Sequence, residues 1–220
     1  MSDSPAPRPL VVAKGLALRT PRGHVFNPVT ATVPRGSVAA VAGGDGTGKS
    51  ALLLALTGRM RGITGGLTVD GVDAVAHPGR VRAATSVARI SDLVATEPML
   101  SLEDCITERT LADAAPARAR HANYLHVALL LGLDAPRDTL FGQLSPADQT
   151  RAAVALASIR PSRLIVVDDL DRETTLADQA ALWAGLLDLA AEGVTVVAST
   201  SERAAVPPEV LTLEMDPRHG

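Results

Sequence analysis

The sequence predicts an α/β fold in which a central, mainly parallel sheet is flanked by helices and joined to an antiparallel β subdomain and a small helical subdomain. Three observations predict it. A short apolar run leads directly into a glycine-rich loop and then into a helix-forming stretch. Short β-like segments separated by turns occupy residues 10–36. The residues after Ser145 alternate between helix-like and strand-like segments, which is typical of a parallel sheet.

The N-terminal region favours antiparallel strands. Its β-like segments, LVVAKGLAL and VTATV, are separated by the turn-rich stretches TPRGH and PRG. Residues 65–75, GGLTVDGVDAV, predict a further hairpin that turns at Asp70 and Gly71. With 220 residues, 46% of them hydrophobic, the chain can bury the core of one domain. We expect a single domain over residues 10–220, preceded by a mobile, proline-rich segment over residues 1–9.

The glycine-rich loop GGDGTGKS fits the phosphate-binding pattern G-x-x-x-x-G-K-[ST] at every fixed position. A buried strand over Val38–Ala42 precedes it, and a helix over Ala51–Thr57 follows it. Glycines allow successive backbone N–H groups to surround phosphate oxygens. Lys49, one of only two lysines among 21 basic residues, supplies positive charge, and the Ser50 hydroxyl can hold Mg²⁺. The predicted cofactor-binding residues are Gly43, Gly44, Asp45, Gly46, Thr47, Gly48, Lys49, Ser50 and Ala51.

The middle and the end of the chain differ in pattern. Residues 101–132 have helical composition and spacing with a break at Pro116, which predicts a small helical subdomain over about residues 93–145. Ser145, Pro146 and Asp148 together form an efficient helix start. The elements predicted beyond Ser145 are a helix over Pro146–Ile159, a strand over Leu164–Val167, a helix over Leu176–Ala191 and a strand over Val194–Ala198.

Two carboxylates end the predicted strand LIVV. Because open α/β sheets bind their ligands at the carboxyl ends of their strands, Asp168 and Asp169 are candidate site residues. Asp168 is predicted to reach Mg²⁺, directly or through water, together with Ser50. Asp169 is predicted to polarise the water that attacks a terminal phosphate. The alternative is a strand that ends in an ordinary acidic turn.

Composition excludes several other classes of function. A net charge of −3 with 2% aromatic residues gives no electrostatic or stacking surface for nucleic acid, so we expect no nucleic-acid partner. The single Cys105 cannot form an internal disulfide, which favours a reducing compartment. No signal-peptide pattern and no apolar run of about 20 residues is present. We therefore expect a cytoplasmic protein without direct membrane insertion.

The order of these parts resembles the ATP-binding-cassette (ABC) family, the nucleotide-binding subunits of ABC transporters. The resemblance covers about residues 10–202 and is carried by GSVAAVAGGDGTGKSALLLALTG, GGLTVDG, LSLEDC, LSPADQTRAAVALA and PSRLIVVDD. It implies a P-loop NTPase of ABC type that binds ATP and Mg²⁺. It also implies a membrane-embedded permease-type partner, a second cassette subunit in a homodimer or heterodimer, and a location peripheral to the inner face of the cell membrane.

Departures from the family pattern fall on its hydrolytic positions. Asp169 occupies the position of the family's catalytic glutamate and is one methylene shorter; a misplacement of about 1 Å can cost on the order of 10²-fold in rate. Ser201 occupies the position of the switch histidine and cannot carry charge. Asp92 aligns with the glutamine of the Gln-containing loop. Phe26 is the only aromatic residue near the position of the adenine-stacking side chain.

The family's signature Leu-Ser-Gly-Gly-Gln corresponds to LSPAD at residues 144–148. In the family, this serine hydroxyl and the glycine N–H groups contact ATP held by the opposite subunit. Pro146 removes one N–H donor, and Asp148 adds negative charge. The sequence thus leaves three functions open: a subunit that hydrolyses ATP slowly, a nucleotide-binding regulatory subunit or silent half of a heterodimer, and a P-loop kinase for a small molecule.

Overall fold

The computed structural model describes residues 9–21, 23–91, 93–113 and 117–216. Residues 1–8 of the expected mobile segment lie outside the described residues, whereas Pro9 begins the first strand. The described strands are β1 (Pro9–Thr20), β2 (Gly23–Pro34), β3 (Val38–Ala42), β4 (Ile63–Val69), β5 (Val72–Asp73), β6 (Thr85–Arg89), β7 (Leu164–Val167), β8 (Thr195–Thr200) and β9 (Leu211–Glu214). The described α-helices are α1 (Lys49–Leu56), α2 (Pro78–Ala84), α3 (Leu102–Ala112), α4 (Ala117–Leu130), α5 (Pro146–Ala157) and α6 (Leu176–Ala191).

The N-terminal strands form an antiparallel sheet, as the sequence predicts. Its strand order is β2-β1-β4-β5. The hairpin between β4 and β5 turns at Asp70 and Gly71, which have φ of 51° and 74°. Two successive residues with positive φ match the right-handed twist of the flanking strands, which confirms the predicted turn.

The second sheet is parallel at every pairing, with the order β6-β7-β8-β3-β9. All four residues of β7 and all five of β3 are buried, as expected for strands covered on both faces. One core cluster joins this sheet to α3, α4, α5 and α6. The other joins it to α1 and the antiparallel sheet. The predicted α/β class, with its antiparallel β region, is therefore confirmed.

Element boundaries agree with the sequence to within two residues in most cases. β3, β7 and α6 begin and end where predicted. α1 begins at Lys49 rather than Ala51, because the phosphate-binding loop passes directly into the helix. α5 ends at Ala157 instead of Ile159. α3 and α4 lie on either side of the predicted break, although Pro116 itself lies outside the described residues.

The start of α5 has the capping chemistry that its sequence predicts. The Ser145 hydroxyl accepts the backbone N–H of Asp148 at 3.1 Å, and Pro146 occupies the first turn. An aspartate in the first turn also compensates the helix dipole. The predicted helix start is confirmed.

Candidate functional site

The loop between β3 and α1 is held closely against two neighbouring strands. Gly48 has φ of 94°, in the left-handed region, and a β-carbon added there would overlap the carbonyl oxygen of Val25 in β2. The N–H of Gly43 donates to the carbonyl of Thr200 in β8 at 3.2 Å. Only glycine at position 48 permits this close approach together with this backbone conformation.

Lys49 lies within the loop that precedes it. Its ammonium donates to the carbonyl oxygens of Gly43 at 2.7 Å and Gly44 at 3.2 Å, and to the hydroxyl of Ser201 at 3.2 Å. The residue as a whole is buried. The cation is therefore fixed at the loop by three oxygen acceptors, next to backbone N–H groups, which is the environment in which these loops bind phosphate.

A cavity of about 360 Å³ opens beside the loop, within the size range of small-molecule sites. It is lined by Val25, Asp45, Gly46, Gly48, Lys49, Ser50, Ala51, Leu54, Met60, Ser91, Leu93 and Asp169. Six of the nine predicted cofactor-binding residues are therefore among its lining residues. Thr47 is not; it is buried, and its hydroxyl donates to the carbonyl of Gly44 at 2.9 Å.

Asp169 lines this cavity together with Asp45. Its side chain accepts the Ser91 hydroxyl at 2.5 Å, and its N–H donates to the Ser199 hydroxyl at 2.8 Å. Its φ is 46°, in the left-handed region, where aspartate is found more often than most residues. The backbone turns at this residue and brings the carboxylate to the same space as Lys49.

Asp168 has a different environment from the one that the sequence suggests. Its side chain is fully buried; it accepts the Ser199 hydroxyl and, at 3.3 Å, the N–H of Ser91. It does not line the cavity that Ser50 lines. Hydrogen bonds from Ser199 in β8 and from Ser91 just beyond β6 hold the Asp168 carboxylate inside the sheet. The role of Asp168 towards Mg²⁺, directly or through water, stays a prediction.

A second cavity of about 340 Å³ adjoins the loop and is lined by Asp45, Ser91, Asp169, Asp171, Arg172 and Ser201. Asp171 fixes the segment after β8, because one carboxylate oxygen accepts the N–H groups of Ser201 at 2.8 Å and Glu202 at 3.0 Å. Ser201 thus contacts Lys49 and lines the second cavity together with Asp169; its role at the terminal phosphate stays a prediction. Asp92 lies outside the described residues.

The oxygen-rich lining fits a magnesium-bound nucleotide. Carboxylate and hydroxyl oxygens are the donors that Mg²⁺ prefers, and Ser50 and Asp169 supply both kinds. Across the described residues, no group of three His, Cys, Asp or Glu side chains is arranged to hold a metal ion.

Three residues of the site were missed by sequence reasoning: Ser91, Ser199 and Arg89. Ser91 could have been found from its position just beyond β6, at the ligand-binding edge of the parallel sheet; the sequence alignment placed the functional position one residue later. Ser199 is inside β8 and carries no sequence signal. The guanidinium of Arg89 donates to the main-chain oxygens of Asp168 and Asp169, and burial lowers the pKa of Arg89.

The apolar side chains beside the loop that a nucleotide base could contact are aliphatic. Phe26 is fully buried in the core between the two sheets, so its ring is not available to stack on a ligand. The neighbouring Val25 lines the cavity instead. Poor aromatic stacking, expected from the sequence, is consistent with this placement.

The signature segment at the start of α5 is engaged in hydrogen bonds within its own helix. The Ser145 hydroxyl donates to the carboxylate of Asp148 at 2.8 Å, and Asp148 also pairs with Arg151 at 2.7 Å. Pro146 carries no N–H. The polar groups of the signature segment therefore cap α5 in this structure.

Among the described residues, no helix is both long and apolar enough to cross a bilayer.

Comparison with known proteins agrees with this geometry. A family model described as ABC transporter matches residues 26–171. The chain is 29% identical over 210 residues to the ribose import ATP-binding protein RbsA 2 of Burkholderia pseudomallei, covering 90% of this chain and 40% of the relative. It is 30% identical over 151 residues to the thiamine import ATP-binding protein ThiQ of Shigella boydii, covering 66% of this chain and 62% of the relative.

The fold is also found among solved structures. The structure of cbiO1 from Clostridium perfringens, described as part of the ABC transporter complex cbiONQ, superposes with a TM-score of 0.77 at 18% identity, covering 94% of this chain and 85% of that one. At this identity the likeness concerns the fold alone. The chain spans about 40% of the length of the ribose import relatives that it matches.

Proposed function

The chain belongs to the ABC transporter family, and from this premise we propose that it is an ATP-binding subunit that binds Mg·ATP, hydrolyses it slowly, and drives or gates a separate membrane transport partner. One observation carries the proposal: Lys49 and Asp169, 120 positions apart in the sequence, line one cavity with the glycine loop. This arrangement combines a phosphate cradle with a carboxylate that can act on water.

The residues divide the work of binding and hydrolysis. The backbone N–H groups of residues 43–51 and the ammonium of Lys49 bind the phosphates. Ser50 would hold Mg²⁺, which supplies charge neutralisation at the phosphates when bound. Asp169 would orient and polarise the attacking water, while Ser91 holds its carboxylate by the 2.5 Å hydrogen bond. Ser201 would contact the terminal phosphate beside Lys49.

Slow turnover is proposed on two grounds. The Asp169 side chain is one methylene shorter than the glutamate of the family pattern. The position of its carboxylate also depends on the left-handed backbone conformation of Asp169 itself. Ser201 offers only a neutral hydroxyl where the family pattern has histidine. Each change weakens an interaction that matters most in the transition state.

The test combines binding and a single turnover. Calorimetry with Mg·ATP is expected to show one site, and Lys49→Ala is expected to abolish it. Single-turnover conversion of radiolabelled Mg·ATP should then be slow but dependent on Lys49. Lys14→Ala, at the other lysine, which is exposed on β1, is the matched control and should bind as the wild type does. Retained affinity in Lys49→Ala would overturn the assignment.

The segment after β6 is the proposed docking surface for the membrane partner. It exposes the large apolar side chains of Leu93, Val94 and Met99, and α3 exposes Leu111. Exposed apolar side chains mark an interaction surface where they form one contiguous patch, and we propose that these side chains form such a patch. The same segment directly follows Ser91, which lines the nucleotide cavity. A partner that docks on the segment would therefore affect the shape of that cavity.

Photo-crosslinking in cells tests this surface. A photoreactive amino acid at position 99, which is exposed and lines neither cavity beside the loop, is expected to capture an integral membrane protein from the membrane fraction. The same substitution at Leu129, an exposed leucine on α4, is the control and is expected to capture none. Equal capture at both positions, or capture of soluble proteins only, would contradict the assignment of this surface.

A second candidate function is a nucleotide-binding regulatory subunit or the silent half of a heterodimer. The observation that favours it is the engagement of Ser145 and Asp148 in capping α5, with Pro146 lacking an N–H. Such a segment offers few donors to a phosphate on another subunit. Light scattering with Mg·ATP distinguishes the two: a nucleotide-induced homodimer supports the first function, and a monomer that binds without turnover supports the second.

A further inference from the structure

A β-bulge at the end of β6 places Arg89 next to the backbone of Asp168 and Asp169, the two candidate carboxylates. β6 pairs with β7 in regular parallel register from Thr85 to Val87, after which Arg89, and not Ala88, is opposite Val167. One extra residue in a strand interrupts the alternation of side chains between the two faces of the sheet, and the side chain that follows changes direction. Ala88 and Arg89 therefore both line a cavity of about 290 Å³ on the side of α5.

The guanidinium of Arg89 reaches the backbone that carries both carboxylates. Its Nε donates to the carbonyl of Asp168 at 3.2 Å, and its Nη2 donates to the carbonyls of Asp168 at 3.0 Å and Asp169 at 2.6 Å. The main chain of Arg89 also accepts the N–H of Asp168 at 3.1 Å. The planar fork of a guanidinium suits two adjacent acceptors better than an ammonium does.

These contacts coincide with the unusual backbone of Asp169. A residue with a side chain rarely adopts φ of 46° unless its surroundings hold it there. Here its carbonyl is held by Arg89, its N–H by Ser199 and its carboxylate by Ser91. Arg89 does not line either cavity beside the phosphate-binding loop, so it approaches the carboxylate pair from the opposite side.

We propose that Arg89 is a positioning residue: by binding the carbonyls of Asp168 and Asp169, it holds Asp169 in the left-handed conformation that presents its carboxylate to the nucleotide cavity. It does so without touching the nucleotide. This role rests on the proposed function for its effect on rate, but its effect on the conformation of Asp169 is independent of any turnover.

Arg89→Met is the decisive variant, because methionine keeps an unbranched stem that reaches about as far as Nε of arginine and removes every guanidinium donor. The kcat for Mg·ATP is expected to fall on the order of 10-fold to 100-fold, as for a misplaced catalytic group, while the dissociation constant for Mg·ATP stays within about twofold because Arg89 makes no contact with the cavity. Arg89→Lys, whose ammonium can still donate to one carbonyl, should lie between the wild type and Arg89→Met.

Arg160→Met is the matched control. Arg160 also donates to main-chain carbonyls, those of Arg82, Ala83 and Thr85, but these belong to the chain around the end of α2 and the start of β6, away from the carboxylate pair. It therefore reports what losing guanidinium–carbonyl bonds, together with the 3.8 Å ion pair to Asp113, does to stability without a change at the carboxylate pair. Its melting temperature should fall like that of Arg89→Met, with kcat unchanged. Equal losses of kcat in both variants would overturn the proposal.

A crystal structure of Arg89→Met separates this inference from the proposed function. Asp169 is expected to leave the left-handed region, with its carboxylate turned from the loop cavity. If φ of Asp169 stays near its present value and the carboxylate still faces Lys49, Arg89 does not position it, whatever the kinetics. If the wild type fails to bind Mg·ATP, the proposed function fails, and the crystal structure still decides the role of Arg89.

Discussion

Gly48 lies directly against the carbonyl oxygen of Val25, so closely that a β-carbon on residue 48 would overlap that oxygen and come within 2.8 Å of the Phe26 side chain. This contact joins the phosphate-binding loop to β2. The loop therefore depends on the antiparallel sheet for its shape. It also explains why β2 supplies Val25 to the wall of the nucleotide cavity.

Gly48→Ala is expected to remove detectable Mg·ATP binding in calorimetry and to destabilise the fold by about 1–3 kcal/mol, the usual cost of overpacking. Left-handed strain is an added term of about 1–2 kcal/mol. Gly132→Ala is the control, because Gly132 has a φ of 71° with open space around it. This variant should lose only the stability that the left-handed strain costs, and its nucleotide binding should be unchanged. Wild-type binding in Gly48→Ala would contradict the contact.

Asp113 is the carboxylate that joins an arginine cluster between α1, α2, α3 and β6. It lies 3.2 Å from Arg109 and 3.8 Å from Arg160. Burial, first, and then the charges of Arg160, Arg109 and Arg82 lower the pKa of Arg59 to about 10, whereas the charge of Asp113 opposes them. Asp113→Asn leaves this positive charge uncompensated and is expected to cost about 1–3 kcal/mol of unfolding free energy.

Urea unfolding measures this cost. Because the loss is electrostatic and the site is partly exposed, added salt should recover part of it. Asp188→Asn, at an exposed position on α6, is the control and should change stability by less than about 0.5 kcal/mol. A loss for Asp113→Asn that is no larger than that of Asp188→Asn would show that carbonyl hydrogen bonds alone hold the arginines.

Sequence reasoning located the main strands because they are uninterrupted apolar runs. β3 and β7 are buried over their whole length; β3 is followed directly by the glycine loop and β7 by Asp168 and Asp169. The glycine loop could also be predicted from the sequence, because every fixed residue of its pattern has a chemical role in binding phosphate or Mg²⁺. These features are local, and a single sequence therefore displays them.

The rest of the site depends on register and on contacts between distant strands. The bulge at Ala88 shifts β6 by one residue, and no local pattern in the sequence shows this shift. Ser199 acts because β8 lies beside β7 in the sheet, which no local pattern reports. For the same reason the sequence could not tell that Asp168 would be enclosed while Asp169 faces the cavity.

The start of α6 provides a pH-dependent stability prediction. The Thr175 hydroxyl accepts the N–H of Asp178, and the Asp178 carboxylate accepts the hydroxyl and the N–H of Thr175. These bonds, the hydroxyl first, lower the pKa of Asp178 from its usual 3.8. A lowered pKa means that the stabilisation is fully present above pH 4 and is lost as pH falls through the lower, folded-state value.

Thr175→Ala is therefore expected to cost about 1 kcal/mol at pH 7, as other lost N-caps do. The difference in stability from the wild type should shrink as the pH is lowered from 4 towards 2. Thermal unfolding at a series of pH values measures it, and Thr212→Ala, outside any helix, serves as the comparison. A difference that stays constant across the acid range would show that the carboxylate of Asp178 takes no part in the cap.

Cys105 on α3 is expected to be inert in the folded chain. Burial, first, and the charges of Glu108 and Asp104 together raise the pKa of its thiol to about 11. At pH 8 only about one thiol in 1,000 is then the reactive thiolate. The side chain is also inaccessible, with 2% of its surface exposed. Iodoacetamide should label the urea-unfolded protein rapidly and the folded protein only after local opening of α3.

The rate of Cys105 labelling in the folded protein therefore measures how readily α3 separates from α5. It can be followed by mass spectrometry without any other modification, because the chain has no second cysteine. Weakening the capping box of α3 by Ser101→Ala, which removes the hydroxyl that accepts the N–H of Asp104, should increase the labelling rate by about fivefold, corresponding to about 1 kcal/mol. The same change in the cap of α6, Thr175→Ala, should leave labelling unchanged. Equal acceleration by both variants would mean that Cys105 becomes accessible through global unfolding and not through α3 alone.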